Sequence, residues 1–280
     1  MSRARSCLSA LTVSAALVLS VLAAAFGPVP AAGAATIAAD PDSPYGSNDW
    51  ACKPSAAHPS PVVLVHGTYL TQGTVFPYLS WYLSASGYCV FSFDYGYYGT
   101  NAVASNAGEL KTFVDKVLSV TGAAKVSIVG HSQGGLLPRY YIKFLGGAGK
   151  VDDVVGIAPA NHGTTWTGLL TLVPGFTCQA CIDLMAGSPV LNAVNAGGES
   201  PGGASYTNIV TTYDEVVLPY TSGFLAAAPH VTNIRLQDDC PYDTVDHVYA
   251  PEDPAVIRIV ADALSHPGPA NPAFRPACTW

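Results

Sequence analysis

Short apolar runs alternate along this chain with longer segments whose apolar residues recur at helical spacing. The runs are rich in β-branched residues, and they predict buried strands at 61–65, 88–93, 126–129, 153–158, 206–212 and 231–236. The other segments predict helices at 75–86, 104–120, 136–145, 189–196 and 252–264. Strands and helices that alternate in this way are typical of an α/β fold, with a mostly parallel central sheet and helices on both faces.

The first 35 residues do not fit this pattern. Arg3 and Arg5 precede an apolar run at 8–26, and Ala32-Gly33-Ala34 follows it as a small-residue cleavage site. These features predict a Sec-type signal peptide over 1–35 that is removed from a secreted protein. An uncleaved membrane anchor is the alternative, because the run approaches spanning length. No later stretch is apolar enough to predict an integral membrane segment.

The rest of the chain predicts an arm followed by one large domain. Residues 36–60 are rich in Pro, Asp, Ser and Ala, and we expect them to form an N-terminal arm before a domain at 61–280. Within that domain, 164–203 is rich in Gly, Thr and Pro. It predicts a cap or loop insertion over the carboxyl ends of the strands, where such sheets bind ligands. A surface loop pinned by a disulfide is the alternative.

The charge of the chain and its cysteine content indicate which partners and which cellular compartment to expect. Without Arg3 and Arg5, ten basic residues face nineteen acidic ones, a formal charge near −9 that argues against nucleic acid as a partner. Cys7 falls in the predicted signal peptide, which leaves an even number of cysteines and predicts disulfides. Fifteen pairings are possible for six cysteines, and we favour Cys52–Cys89, Cys178–Cys181 and Cys240–Cys278. The C-x-x-C pair at 178 and 181 could instead be half of a zinc site or a redox pair.

The most informative stretch is Gly130-His131-Ser132-Gln133-Gly134, which follows one predicted strand and opens one predicted helix. A strand, G-x-S-x-G and a helix in this order are typical of the nucleophile elbow of α/β-hydrolases. The glycines allow strand and helix to pass closely, and the helix N-terminus faces the point where negative charge develops during acyl transfer. The motif therefore predicts Ser132 as a nucleophile and 61–280 as a catalytic domain.

Chain order suggests the partners of Ser132, because the acid and then the base follow the serine in this fold class. His247 lies in the loop between the last predicted strand and the last predicted helix, which makes it the candidate base. Asp214, just after the strand at 206–212, is the candidate acid, with Glu215 as its neighbouring rival. A cluster of acids near His247 could bind calcium, but we favour simple solvation: Asp238, Asp239, Asp243 and Asp246.

An oxyanion hole needs two backbone N–H groups. One should come from Gln133, after the nucleophile, and the other from the turn after the first strand, where we favour Thr68 over Tyr69. Thr68 could add its hydroxyl. Tyr69, His162 and Trp166 are candidate pocket residues, and further aromatic and leucine side chains could line an acyl pocket or pack beneath their own loops: Tyr95, Tyr97, Tyr98, Leu169, Leu170, Leu172 and Phe176.

Several of these motifs together resemble the secreted bacterial lipases and esterases of lipase class 2. The motifs are Val65-His66-Gly67-Thr68, Gly130-His131-Ser132-Gln133-Gly134, Asn161-His162-Gly163-Thr164, Thr212-Tyr213-Asp214-Glu215-Val216-Val217 and Asp246-His247. The resemblance implies an α/β-hydrolase with Ser132, Asp214 and His247 as catalytic triad and the amides of Thr68 and Gln133 as oxyanion hole. It also implies that His162 borders the pocket without entering the triad.

The expected function is hydrolysis of carboxylic esters with apolar acyl groups, as a triacylglycerol lipase or carboxylesterase that forms an acyl-serine intermediate. This chemistry requires neither a metal nor an organic cofactor. We expect a monomer whose partner is a lipid or another apolar ester. A serine peptidase or acyltransferase on the same fold, or a secreted binding protein without catalytic activity, are the alternatives.

Overall fold

The computed structural model describes residues 42–168 and 177–280. The predicted signal peptide and the start of the predicted arm lie outside these residues. A sheet of six parallel strands forms the centre. The strands are β1 (Val62–Val65), β2 (Val90–Phe93), β3 (Val126–His131), β4 (Val151–Ile157), β5 (Ser205–Val210) and β6 (Val231–Arg235). Their order across the sheet is β2-β1-β3-β4-β5-β6. This arrangement confirms the predicted fold class. The chain places β2 and β3 on opposite sides of β1, so the carboxyl end of β1 is a switch point of the kind that binds ligands in open parallel sheets.

The predicted strands are confirmed, with their ends shifted by up to two residues. Strand β1 is buried along its whole length, because helices cover both faces of the sheet. Full burial explains why this strand is a continuous apolar run rather than an alternating one.

The predicted helices are also present. The helix predicted at 75–86 is α2 (Pro77–Ala85), which begins at Pro77, and a separate short helix that was not predicted, α1 (Gln72–Val75), precedes it. The remaining predicted helices are α4 (Val103–Thr121), α5 (Gln133–Phe144), α7 (Pro189–Asn195) and α9 (Pro254–Ser265). Short helices that periodicity did not predict are α3 (Gly96–Gly99), α6 (Gln179–Asp183) and α8 (Leu236–Asp239), with 3₁₀ turns at Tyr220–Gly223 and Ala250–Glu252.

Two hydrophobic cores lie on opposite faces of the sheet. Val63 and Val65 pack with residues of α4 and α5, whereas Val62 and Leu64 pack with residues of α2 and α9. Because successive side chains of a strand point to opposite faces of the sheet, β1 contributes side chains to both cores. In the described ranges, no helix is both long and apolar enough to cross a membrane.

All three predicted cysteine pairs are confirmed as disulfides: Cys52–Cys89, Cys178–Cys181 and Cys240–Cys278. The first ties the predicted arm to the segment before β2. Asn48 strengthens this attachment, because its side chain donates to the Ser92 carbonyl at 2.8 Å and accepts from the Ser92 amide at 3.0 Å. The part of the arm that the structure describes is therefore fixed along the β2 edge of the sheet.

Candidate active site

The turn between β3 and α5 holds Ser132 in a conformation that side chains rarely adopt, with φ 56° and ψ −121°. The two motif glycines make this turn possible. A Cβ on Gly130 would lie 2.0 Å from the Gly134 carbonyl oxygen, and a Cβ on Gly134 would lie 2.0 Å from the Val65 carbonyl oxygen. Strand β3, helix α5 and the end of β1 thus meet without intervening side chains. The strained turn presents Ser132 at the carboxyl edge of the sheet.

Asp214 and His247 form a buried pair at the same edge. His247 Nδ1 lies 2.8 Å from Asp214 Oδ2, and the exposed fractions of their side chains are 4% and 1%. The other carboxylate oxygen, Oδ1, accepts from the backbone N–H groups of Val216 at 2.9 Å and Val217 at 2.7 Å. These bonds fix the orientation of the carboxylate, so Oδ2 can accept the proton of Nδ1 and Nε2 is left able to accept one from another group.

His247 lies beside the elbow. His131, the residue before Ser132, bonds through Nε2 to the His247 carbonyl oxygen at 2.8 Å, and the two imidazole rings are 4.8 Å apart. Among the described residues Ser132 Oγ has no hydrogen-bond partner. In free enzymes a serine–histidine hydrogen bond is often long or poorly aligned, and it tightens when substrate binds.

The turn after β1 approaches Ser132 from the other side. A Cβ on Gly67 would lie 3.0 Å from the Ser132 Cβ, so glycine permits the close approach. The Tyr69 amide donates to the Tyr98 carbonyl oxygen at 2.7 Å and is already used. In the described part of the chain the amides of Thr68 and Gln133 have no hydrogen-bond partner. The two amides that remain free are therefore those that the sequence favours for the oxyanion hole.

A relay of side-chain amides orients the Thr68 hydroxyl. Asn106 Nδ2 faces the carbonyl oxygens of Gly99 and Asn101, at 3.2 and 2.9 Å, and also donates to Gln133 Oε1 at 2.7 Å. Gln133 Nε2 must then donate to its own neighbours, the Gly99 carbonyl oxygen at 2.8 Å and Thr68 Oγ1 at 2.6 Å. Because Thr68 Oγ1 accepts here, its own proton is free to point toward a substrate oxygen.

His66, which precedes this turn, is completely buried and stacks on the Tyr95 ring at 4.2 Å. Burial lowers the pKa of His66, while a hydrogen bond to Gly67 and the nearby charge of Asp94 oppose that shift. The Tyr95 hydroxyl donates to the His66 carbonyl oxygen at 2.6 Å. A neutral, stacked His66 therefore supports the turn that carries Gly67 and Thr68.

The three candidate pocket residues lie on loops near the site. The Tyr69 hydroxyl is 3.4 Å from Cys181 Sγ, so the turn after β1 touches the Cys178–Cys181 disulfide. The Trp166 amide donates to Thr164 Oγ1, which also accepts from Leu218 N–H, and this ties Trp166 to the segment after Asp214. His162 is occupied by other contacts, with Glu199 Oε1 at 3.0 Å and the Ser222 carbonyl oxygen at 3.1 Å. Residues 169–176, which include four candidate lining residues, lie outside the described ranges: Leu169, Leu170, Leu172 and Phe176.

Each of the four acidic side chains near His247 has a hydrogen-bond or ion-pair partner of its own. Asp238 pairs with Arg235, and Asp239 pairs with Arg275. Asp243 and Asp246 accept backbone N–H groups of Val245 and Tyr249. Within residues 42–168 and 177–280, no group of three His, Cys, Asp or Glu side chains is placed to hold a metal ion.

The sequence did not single out Arg139, a fully buried side chain on α5. Its guanidinium donates to the Glu199 carbonyl oxygen at 2.7 Å, to Asn161 Oδ1 at 3.1 Å and to Asn195 Oδ1 at 2.5 Å. Burial lowers the pKa of Arg139 to about 10, so it stays charged at neutral pH. Helical spacing alone offered no signal for this role, because its partners lie 22 to 60 residues away, in two loops and at the end of α7.

Comparison with known proteins adds sequence relatives. A triacylglycerol lipase of Burkholderia plantarii is 35% identical over 142 residues, which cover 49% of this chain and 36% of that protein. A triacylglycerol lipase of Pseudarthrobacter phenanthrenivorans is 37% identical over 91 residues, covering 30% of this chain and 28% of that protein. The chain thus spans about a third of the length of these curated relatives.

Solved structures share the fold. Aspergillus fumigatus lipase B superposes with a TM-score of 0.66 at 24% identity, covering 79% of this chain and 57% of that one. The mature form of the Bacillus licheniformis lipase BlEst2 gives a TM-score of 0.59 at 16% identity, covering 76% and 94%. At these identities the likeness supports the α/β-hydrolase fold alone.

The family model described as "Lipase (class 2)" matches residues 59–260. This range contains the strained serine turn, the turn that carries Thr68 and the buried Asp214–His247 pair, and it amounts to most of the chain. The resemblance seen in the sequence motifs is therefore confirmed, and the chain belongs to the lipase (class 2) family.

Proposed function

We propose that this chain is a secreted serine hydrolase that cleaves carboxylic esters with apolar acyl groups, with Ser132, Asp214 and His247 as its catalytic triad. The observation that carries the proposal is the buried 2.8 Å contact between His247 Nδ1 and Asp214 Oδ2, next to a serine held at positive φ. An aspartate in this position fixes the imidazole tautomer and stabilises the imidazolium that forms during reaction.

In the first half of the reaction Ser132 Oγ attacks the ester carbonyl carbon, while His247 Nε2 takes the hydroxyl proton. The tetrahedral intermediate collapses when His247 returns that proton to the leaving alcohol. Acyl-Ser132 remains. Water, deprotonated by the same nitrogen, then attacks the acyl carbon. His247 returns this proton to Ser132 Oγ as the bond between Oγ and the acyl carbon breaks, which releases the carboxylic acid and restores the free serine.

The oxyanion of each tetrahedral intermediate would receive the amide N–H groups of Thr68 and Gln133 and the Thr68 hydroxyl. The support is that these amides are free among the described residues, while the neighbouring Tyr69 amide bonds to Tyr98. Gln133 is also the first residue of α5, so its unpaired N–H adds the positive end of the helix to the site.

An apolar acyl group suits the side chains around the site. Tyr69, Trp166 and Val216 are partly buried and pack against the core that lies on the α4 and α5 side of the sheet. The names of the two curated relatives, both triacylglycerol lipases, support the same substrate class. Secretion is supported by three disulfides, which persist in oxidising compartments, and by the apolar N-terminal pattern.

The test is hydrolysis of p-nitrophenyl esters from acetate to palmitate by oxidised wild type and by Ser132→Ala. We expect turnover by wild type and none above background by the variant. The acyl chain length that wild type hydrolyses fastest then separates an esterase from a lipase. Equal rates for both would overturn the assignment of Ser132.

Two further measurements separate the alternatives. Covalent labelling of wild type, but not of Ser132→Ala, by a fluorophosphonate would distinguish a hydrolase from a binding protein. Cleavage of an amide at a rate approaching that of its matched ester would favour a serine peptidase, whereas a simple ester hydrolase should leave the amide intact. Acyl transfer to an added alcohol in preference to water would favour an acyltransferase.

A further inference from the structure

Two side chains hold the backbone of His247, one at each end. The His131 imidazole bonds through Nε2 to the His247 carbonyl oxygen at 2.8 Å, and Glu215 Oε2 accepts the His247 amide N–H at 3.2 Å. His131 directly precedes Ser132, and Glu215 directly follows Asp214. The neighbours of the proposed nucleophile and of the proposed acid therefore both bind the proposed base.

His247 needs such support because its own segment lacks regular structure. It lies between α8 and the 3₁₀ turn Ala250–Glu252, in a stretch that is fixed mainly by side chains. Asp243 accepts the Val245 amide, and Thr211 Oγ1 donates to the Val245 carbonyl oxygen at 2.8 Å. A base on such a loop can shift relative to its nucleophile unless other elements hold it.

The His131 contact has a defined proton arrangement. His131 is fully buried, and burial together with the adjacent His247 lowers its pKa well below the usual range, so the ring is neutral. A carbonyl oxygen can only accept, so Nε2 carries the ring proton and donates it, while Nδ1 has no partner among the described residues. A neutral donor holds His247 without placing a second positive charge beside the imidazolium that forms in the reaction.

The Glu215 contact belongs to the turn that also carries Asp214. In this turn Asp214 binds the imidazole and Glu215 binds the backbone N–H of the same histidine, at 2.8 and 3.2 Å. Glu215 is exposed, and no cationic side chain in the described ranges pairs with it. One turn thus fixes both the ring and the main chain of His247.

We propose that His131 and Glu215 are positioning residues, which clamp the main chain of His247 and so set the distance of its imidazole from Ser132. The inference rests on the proposed function, because it gives His247 the role of general base. Neither side chain touches substrate. A misplacement of about 1 Å can cost roughly a hundredfold in rate, so partial release of the loop should lower kcat by roughly tenfold and leave KM nearly unchanged.

At both positions the experiment compares a substitution that removes the hydrogen-bonding group with one that retains it. Glu215→Ala removes the acceptor, whereas Glu215→Gln retains an oxygen of the same reach without the charge. His131→Leu removes the donor at similar volume, whereas His131→Gln retains an N–H. Asp238→Ala is the matched control, since this exposed acid pairs with Arg235 and does not contact His247.

We measure kcat and KM for hydrolysis of a p-nitrophenyl ester, with the concentration of active sites determined by fluorophosphonate titration. The midpoint of thermal unfolding is measured for each variant as well. The Ala and Leu variants should lose roughly tenfold in kcat with KM within twofold, the two Gln variants should recover at least a third of the wild-type kcat, and the control should match wild type. The proposed positioning role is refuted if Glu215→Ala and His131→Leu keep kcat within twofold of wild type. It is also refuted if each Gln variant loses as much kcat as the Ala or Leu variant at the same position.

Lower thermal midpoints with an unchanged kcat per titrated site would mean a structural role only, and would also overturn the inference. Failure of the proposed function gives a different result: wild type itself would neither hydrolyse the ester nor react with the fluorophosphonate.

Discussion

Replacing Thr68 by valine should remove one hydrogen-bond donor from the proposed oxyanion hole and change little else. Valine has nearly the shape of threonine. Gln133 Nε2 would lose Thr68 Oγ1 as an acceptor but would keep the Gly99 carbonyl oxygen at 2.8 Å, so the buried amide is not stranded. The Thr68 backbone N–H also remains. The perturbation is therefore confined to the hydroxyl.

The size of the effect follows from when this hydroxyl would act. Its proton is free in the resting site, because Oγ1 already accepts from Gln133, and it would bond most strongly to the charged oxygen of the tetrahedral intermediate. Loss of one such donor typically costs about 10²–10³ in kcat, roughly 3–4 kcal/mol. With two amides still in place we expect about a hundredfold decrease in kcat and a KM within threefold.

The assay is steady-state hydrolysis of p-nitrophenyl butyrate by wild type, Thr68→Val and Thr68→Ser, with active sites titrated so that misfolded protein is not counted. Serine restores the hydroxyl and should stay within about fivefold of wild type in kcat. A Thr68→Val variant within threefold of wild type would refute the reasoning. So would a serine variant as slow as the valine variant.

Two other predictions concern stability. Arg139→Met should lower the free energy of unfolding by about 3 kcal/mol in urea denaturation, because it leaves a buried acceptor of Asn161 and partly buried acceptors of Asn195 and Glu199 unpaired. A loss below about 1 kcal/mol would contradict this. Burial raises the pKa of Glu252 from 4.5 to about 7. Between these pH values the unfolded chain releases a proton that the folded chain keeps, so Glu252 destabilises the fold increasingly as pH rises. Glu252→Gln should therefore gain thermal stability relative to wild type from pH 4.5 to 7, and parallel curves would exclude the effect.

The sequence predicted the sheet well because its strands are buried on both faces. Continuous apolar runs such as Val62–Val65 leave little doubt about strand position. The α-helices that it missed, α1, α3, α6 and α8, are four or five residues long, too short to show periodicity. Pro77 marks the start of α2, because proline is favoured at the first position of a helix, and it places this start two residues after the predicted one.

The geometry of the proposed site was predictable where it depends on chain order and local turns, as for the turn at Ser132 and the contact between Asp214 and His247. The choice of Thr68 over Tyr69 gains support from a bond between Tyr69 and Tyr98, 29 residues apart. The contacts of Asn106 with Gln133, and of Glu215 with His247, likewise join segments that are distant in sequence. Such contacts depend on how helices and loops pack, and hydrophobic periodicity carries no information about them.

The close approach at Gly67, Gly130 and Gly134 has a consequence for directed evolution. Side-chain atoms at Gly130 or Gly134 would fall 2.0 Å from backbone oxygens, and at Gly67 they would press on Ser132, so libraries that diversify these positions would consist largely of misfolded members. Tyr213 and Tyr249 are exposed, at 49% and 67%, and lie within two residues of Asp214 and His247. Variation for altered substrate range is better concentrated at these two tyrosines, where new side chains meet solvent rather than the backbone.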